Sequence, residues 1–280
     1  MKNDDITKSK VYKANIKYHS KLADSYDETQ PHFKKENVKQ VRNRLEHLSK
    51  FAKDPKLLDI GCGTGFILEL AHDYYNELYG VDITPAMIKK AKNKFKTNKI
   101  KLFLASSDNL PFSDSYFDVV TAYGFLHHLP ILIDTFKEVH RVLKKGGIFY
   151  ADQDPNYYFW EAIKSLPNRN LSSIIDIERK SVCKMVTEVQ NVVGKDLDRE
   201  TIEMAEYLKS KGGLKEEEIK EYLHNSGFND IDYEYAWYWQ EGKVIKDLSE
   251  KDAIYFENHL RLALPLTKSF FKYFRFEARK

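Results

Sequence analysis

The sequence predicts an α/β fold built on an open, mostly parallel sheet with a helical insertion, and three observations carry that prediction. Short apolar runs of strand length recur at Leu57–Ile60, Leu78–Val81, Ile100–Leu104, Phe117–Ala122 and Ile148–Ala151. Segments with apolar residues at helical spacing separate most of these runs, the alternation expected of a parallel sheet. The first run leads through Gly61-Cys62-Gly63-Thr64-Gly65 into a helical pattern that opens at Phe66. Strand, glycine loop and helix N-terminus together make the ligand-binding corner of such sheets.

Each element follows in order. Val38, Val41, Leu45 and Leu48 share one face of a helix over residues 33–50, which should pack on the sheet. The second strand ends at Asp82, and Thr84-Pro85 then opens a helix, with Thr as N-cap and Pro in the first turn. Met87, Ile88, Ala91 and Phe95 form its apolar face. The fourth strand runs into Tyr123-Gly124-Phe125-Leu126-His127-His128-Leu129. A helix through Leu132, Phe136, Val139 and Leu143 is expected to close on Lys144-Lys145-Gly146-Gly147, lysines complementing its C-terminus and glycines stopping it. Residues 156–213 read as several helices, such as 157–166 and 199–209, inserted after the fifth strand. A helix over Leu214–Asn225 ends at Gly227, and Ile231, Tyr233, Tyr235, Trp237 and Trp239 alternate as in a strand. Residues 244–268 look helical, and 270–278 supply a last strand. The expected organisation is therefore N-terminal helices and a binding core over 1–155, a helical cap over 156–213, and completion of the sheet over 214–280.

The chemistry of the glycine loop is specific. A dinucleotide site spaces its glycines G-x-G-x-x-G, but the position of that last glycine is Phe66 here. The spacing is G-x-G-x-G, with Asp59 two residues before Gly61. A carboxylate so close to the loop would repel a pyrophosphate, whereas it suits the ammonium and sulfonium of S-adenosylmethionine. Glycines, lacking a Cβ, let the backbone approach the ligand closely. Asp82 lies 17 residues beyond Gly65, where a Rossmann-like site places its ribose acceptor, and its two oxygens match the two ribose hydroxyls.

The segment 57–65 resembles the first signature of the class I S-adenosylmethionine-dependent methyltransferases, and the chain is similar to the ubiquinone/menaquinone-biosynthesis type within them. The resemblance covers roughly residues 18–153 and resumes near 212–235. It implies a seven-stranded Rossmann-like methyltransferase sheet whose last strand is antiparallel. It implies that residues 18–27, with Ala-x-x-Tyr-Asp at their end, fold over the cofactor, making Tyr26 a wall of the donor site. It assigns Asp59, Gly61, Cys62, Gly63 and Gly65 to the donor loop, Asp82 to the ribose, Ile83 to the adenine face and Tyr123 to the surroundings of the sulfonium. Aligned on Leu110-Pro111-Phe112, the family's adenine-binding Asp falls on Ser106 and its neighbour on Ser107. Ser106 departs from the pattern, because a hydroxyl accepts a hydrogen bond without charge assistance, which implies weaker adenine recognition.

Methyl transfer from a sulfonium is an in-line displacement, in which the protein chiefly positions the nucleophile and excludes water. A base is needed only if the acceptor must lose a proton; His127, His128, Asp152 and Asp154 are candidates in no order, and positioning without a dedicated base stands beside them. Adjacent histidines do not share a helical face and no third ligand stands at a metal spacing, so no metal is expected. The sequence after the fourth strand, Ala-Tyr-Gly-Phe, lacks the Asn/Asp-Pro-Pro-aromatic motif of enzymes that methylate nucleic-acid bases, and lacks the carboxylates of metal-dependent catechol enzymes. A formal net charge of +3 leaves no nucleic-acid footprint either. The expected acceptor is a small molecule or a lipid- or glycan-linked group beneath an aromatic-rich cap, with S-adenosylmethionine as cofactor. The alternative is a protein that binds S-adenosylmethionine for a regulatory or assembly role without methyl transfer. Cys62 and Cys183 form no disulfide framework, the Lys- and Asp-rich N-terminus is not a signal peptide, and no apolar run is long enough to span a bilayer. A cytoplasmic location follows as the expectation, with Leu260–Phe276 a candidate for peripheral membrane contact.

Overall fold

The computed structural model describes residues 3–33, 35–165, 196–239 and 241–280; Cys183 and the middle of the expected insertion lie outside them. Seven strands, β1 (Lys56–Ile60), β2 (Glu77–Asp82), β3 (Ile100–Leu104), β4 (Phe117–Tyr123), β5 (Leu143–Pro155), β6 (Asp230–Tyr238) and β7 (Phe271–Arg279), form one sheet in the order β3-β2-β1-β4-β5-β7-β6. The first five pair in parallel, and β7 runs antiparallel between β5 and β6. The connections reverse direction between β1 and β4, so the carboxyl ends of these strands open a crevice where open α/β sheets bind ligands.

The apolar runs are continuous because both faces of the sheet are covered. Leu58, Ile60, Val120 and Ala122 point to one face, packed with α6 (Leu132–Val142) and the helix Glu216–Asn225. Leu57, Val119, Ile148 and Tyr150 point to the other, against α3 (Lys35–Ser49) and α4 (Phe66–Ala71). Val41, Leu45 and Leu48 of α3 are buried there, as their spacing predicts. Before these helices in the chain stand α1 (Asn3–Leu22) and the single turn α2 (Tyr26–Thr29), and α5 (Pro85–Lys94) follows β2. After β5 come α7 (Tyr157–Ser165), α8 (Arg199–Ala205), α9 (Tyr207–Ser210) and α10, the helix Glu216–Asn225 already placed on the first face.

The structure alters several boundaries. Helix α6 stops at Val142, not at the lysines and glycines of 144–147, because Leu143 pairs with Phe117 and begins β5. Lys144 to Gly147 bulge out of the β4–β5 ladder, and the Lys144 ammonium sits 2.8 Å from the Asp118 carboxylate. Thr84 occupies the N-cap position of α5 without a side-chain capping bond; the Asp82 carboxylate accepts from its backbone N–H instead, at 2.7 Å. The expected helix over 244–268 is two helices, α11 (Glu241–Asp247) and α12 (Glu250–Leu262), with Ser249 capping the second. Of the candidate membrane segment, Phe271, Phe274 and Phe276 are buried in β7, leaving Leu262, Leu266 and Phe270 exposed. Among the described residues no helix is long and apolar enough to cross a membrane.

Candidate functional site

At the carboxyl ends of β1, β2 and β4 lies a cleft of about 660 Å³. Gly61 and Gly63 form its floor, Asp82, Ile83, Ser106 and Ser107 one side, and Tyr123 and Gly124 the other. All three loop glycines adopt positive φ, +68° at Gly61, +51° at Gly63 and +92° at Gly65, a conformation only glycine visits without strain. At Gly61 the requirement is also spatial: a Cβ would stand 2.0 Å from the Phe125 ring. The turn thus packs directly on the loop that follows β4, and both line the cleft.

Asp82 organises the loop as well as facing the cleft. Its Oδ2 accepts from the Gly63 N–H at 3.0 Å and its Oδ1 from the Thr84 N–H at 2.7 Å. Each carboxylate oxygen has further acceptor capacity. Ser106 donates to Asp108, which also accepts from the Tyr12 hydroxyl at 2.9 Å and pairs with Lys8. Ser107 lines the cleft and bonds Thr135 through its hydroxyl. The N-terminal segment covers the loop: Thr64 donates to Asp27, while Lys94 of α5 reaches the same carboxylate at 3.3 Å. Tyr26 lines the cleft from this lid.

Three residues assigned to the donor loop stand elsewhere. Cys62 is buried beneath the loop and Gly65 holds the N-cap of α4, neither of them lining the cleft. Asp59 is only 2% exposed and also outside the lining; its Oδ1 accepts from the Thr121 hydroxyl at 2.7 Å. Burial, reinforced by the negative charge of Asp82 and opposed by the Thr121 hydrogen bond, pushes its carboxyl up to about 8. Asp59 therefore favours its protonated form and is sealed in the core, and Asp82 is the carboxylate that faces the cleft.

A second cavity, of about 630 Å³, continues from the first across a shared wall of His19, Tyr26, Tyr123, Gly124 and His128. It adds Tyr18, His32, His127, Gln153, Glu206 and Tyr273. Of the four candidate bases, His127 and His128 line it and the two aspartates do not. Asp154 is fully buried behind His127, accepting from its backbone N–H at 3.0 Å and lying 2.8 Å from its Nδ1. Asp152 turns away: its carboxylate accepts from the Tyr150 hydroxyl at 2.6 Å and from the Gln153 N–H at 2.7 Å. Burial raises its carboxyl despite the opposing charge of Arg275. The cause of this placement is a shift in the β5–β7 register between Ala151 and Asp154, which gives Gln153 a φ of +64° and leaves Gln153, not Asp152, on the cavity wall.

The imidazoles differ. Burial lowers the basicity of His128, as does the neighbouring His127. His127 is buried too, but hydrogen bonds to Asp154 and Glu206 outweigh that cost and raise it. Sequence reasoning missed Tyr12, Asn15 and His19 of α1, which line the first cleft together. Their spacing, i, i+3 and i+7, is the signal of one helical face. It also missed Glu206 and Tyr273, for which no local pattern exists.

The chain is similar to known proteins in sequence and in fold. The methyltransferase domain family matches residues 58–151. An uncharacterized protein of Methanocaldococcus jannaschii is 33% identical over 199 residues, which is 70% of this chain and 74% of the relative. The demethylmenaquinone methyltransferase of Staphylococcus saprophyticus is 34% identical over 131 residues, covering 45% of this chain and 56% of that enzyme. An S-adenosylmethionine-dependent methyltransferase from Mesorhizobium loti shares the fold, with a TM-score of 0.54 at 17% identity over 85% of this chain and 96% of that one.

Proposed function

The chain belongs to the class I S-adenosylmethionine-dependent methyltransferases, similar to the quinone-biosynthesis type, and from that premise we propose that it methylates a small-molecule acceptor seated in the second cavity. S-adenosylmethionine is the cofactor, and it supplies an electrophilic methyl group. The observation that carries the reading is the wall common to the two cavities, at Tyr26, Tyr123, Gly124, His19 and His128. A donor in the first cleft and an acceptor in the second would meet there, as an in-line displacement requires.

In this reading Asp82 receives the ribose hydroxyls, Ile83 lies against the adenine, and Ser106 accepts from the adenine amino group. The Tyr26 and Tyr123 rings present electron-rich faces to the sulfonium. The α1 face of Tyr12, Asn15 and His19 closes over the donor and excludes water. With no ion bound to them, His127 and His128 are the groups able to take a proton from a hydroxyl acceptor in the second cavity; Asp154 orients His127 from behind.

The test is formation of S-adenosylhomocysteine, followed with radiolabelled methyl donor, across a panel of phenols, quinols, sugars and lipid-linked acceptors. Turnover with any member, lost when Gln30, which lines the second cavity, is replaced by tryptophan, supports the reading. Tight binding of S-adenosylhomocysteine without turnover on the whole panel would favour the binding-protein alternative instead.

A further inference from the structure

We propose that His127, His128 and Glu206 form a divalent transition-metal site of the zinc class in the wall of the second cavity. One ligand atom from each lies within 4.8 Å of the other two. The His127 Nε2 to Glu206 Oε2 distance is 3.5 Å. A tetrahedral shell with bonds of roughly 2.0–2.2 Å has edges of about 3.4 Å, so this pair already has the spacing of two ligands on one ion.

The surrounding hydrogen bonds set the ring nitrogens in the form a metal needs. The His127 Nδ1 faces the buried Asp154 carboxylate at 2.8 Å, a contact that would hold the proton on Nδ1 once an ion displaces the proton from Nε2, the nitrogen that faces Glu206. Carboxylate, histidine and metal in that order are a recurring support for bound ions. The His128 Nδ1 faces the Ala205 carbonyl at 2.7 Å, which favours the same tautomer and leaves its Nε2 without a proton. Ala205 directly precedes Glu206, so one turn at the α8–α9 junction orients the second histidine and supplies the carboxylate. Glu206 is 5% exposed, its Oε1 accepting from Tyr18 at 3.2 Å and its Oε2 from Lys209 at 2.8 Å.

The two reasons for excluding a metal on sequence fail for physical causes. His127 and His128 sit on a 3-10 turn, Leu126–His128, whose tight winding brings their ring centroids to 4.0 Å. The third ligand arrives from the α8–α9 junction within the insertion, beyond the reach of any local spacing rule. Two imidazoles and a carboxylate suit zinc, cobalt, iron and related ions. Three protein ligands leave coordination open, and all three residues line the cavity. A hydroxyl, phenolate or carboxylate oxygen of the acceptor would complete the shell; that last role rests on the function proposed above, whereas the metal site does not.

The competing arrangement is metal-free, with His127 protonated between Asp154 and Glu206 and Lys209 balancing the remaining charge. The two are separated by titrating the full chain, stripped with chelator, with zinc against a chromophoric competitor and with cobalt(II) by visible absorption. One equivalent bound at micromolar affinity or tighter, with the visible bands of four- or five-coordinate cobalt, is the expected result. Glu206→Gln and His128→Gln should each weaken binding tenfold or more, and Asp154→Asn about 10–100-fold. Lys209→Met, which removes the competing cation, should tighten it several-fold. Circular dichroism and thermal unfolding verify that each variant is folded, and where one is not, the others carry the test. Absence of stoichiometric binding up to millimolar metal overturns the proposal, as does binding unchanged in both Glu206→Gln and His128→Gln. None of these readouts depends on methyl transfer, so the site and the proposed activity can fail separately.

Discussion

Replacing Asp82 with alanine removes two things at once, and their magnitudes differ. Its carboxylate accepts from the Gly63 N–H at 3.0 Å and the Thr84 N–H at 2.7 Å, joining the glycine loop to the start of α5. Both donors lose a charged partner, but the cleft is open to water, which can replace it, so the loss of stability should be about 1–2 kcal/mol. The loss of cofactor affinity should be larger. Hydrogen bonds to a charged group contribute about 1.5–3 kcal/mol, and the ribose offers two hydroxyls to one carboxylate. Since about 1.4 kcal/mol is tenfold, the dissociation constant for S-adenosylhomocysteine should rise roughly 10- to 150-fold. Isothermal titration calorimetry measures the affinity and urea unfolding the stability, each on the same preparation. An affinity within twofold of the parent would refute the ribose assignment. Loss of affinity that only matched the loss of stability would mean that Asp82 acts by shaping the loop.

Other expectations follow from the same site. Gly61→Ala combines a left-handed residue, costing about 1–2 kcal/mol, with a Cβ 2.0 Å from Phe125, whose displacement costs about 1–3 kcal/mol more; urea unfolding should show the sum, and an added Phe125→Ala should recover part of it. Asp59 has a folded-state value of about 8 against an ordinary 3.8, so the folded state holds the proton more tightly and stability falls as pH rises between these values. Asp59→Asn should therefore gain on the parent progressively from pH 5 to pH 8 in thermal unfolding, and a difference independent of pH would contradict the buried, protonated carboxyl. Ser106→Ala should weaken S-adenosylhomocysteine by about 0.5–1.5 kcal/mol, the scale of one neutral hydrogen bond, and an unchanged affinity would remove Ser106 from the adenine contacts.

Legibility in the sequence followed the range of the interactions. Strands β1, β2 and β4 were readable to within one residue, because a strand covered on both faces must be apolar throughout; β3, at the sheet edge with only Ile100 buried, was readable from its apolar run alone. The glycine loop was readable because left-handed backbone restricts the residue locally. The end of α6 was not, since Leu143 had two apolar destinations, the helix face and the sheet edge, and only pairing with Phe117 decided between them. The β5 bulge was equally hidden, and it separated Asp152 from the cavity while leaving Asp154 behind His127.

By itself, then, the sequence determined the parallel core, the loop at 61–65 and the donor that the loop suits, because those depend on backbone conformation and on side chains close in the chain. Tertiary structure alone decided which carboxylate faces the cleft. Asp59 and Asp82 look alike as acidic residues at two strand ends, yet the first is sealed against Thr121 and the second opens to the cleft. It also decided that Tyr12, Asn15 and His19 of α1 line the first cleft and that Glu206 meets His127 and His128. Burial and long-range approach set those properties, and neither is encoded in local spacing.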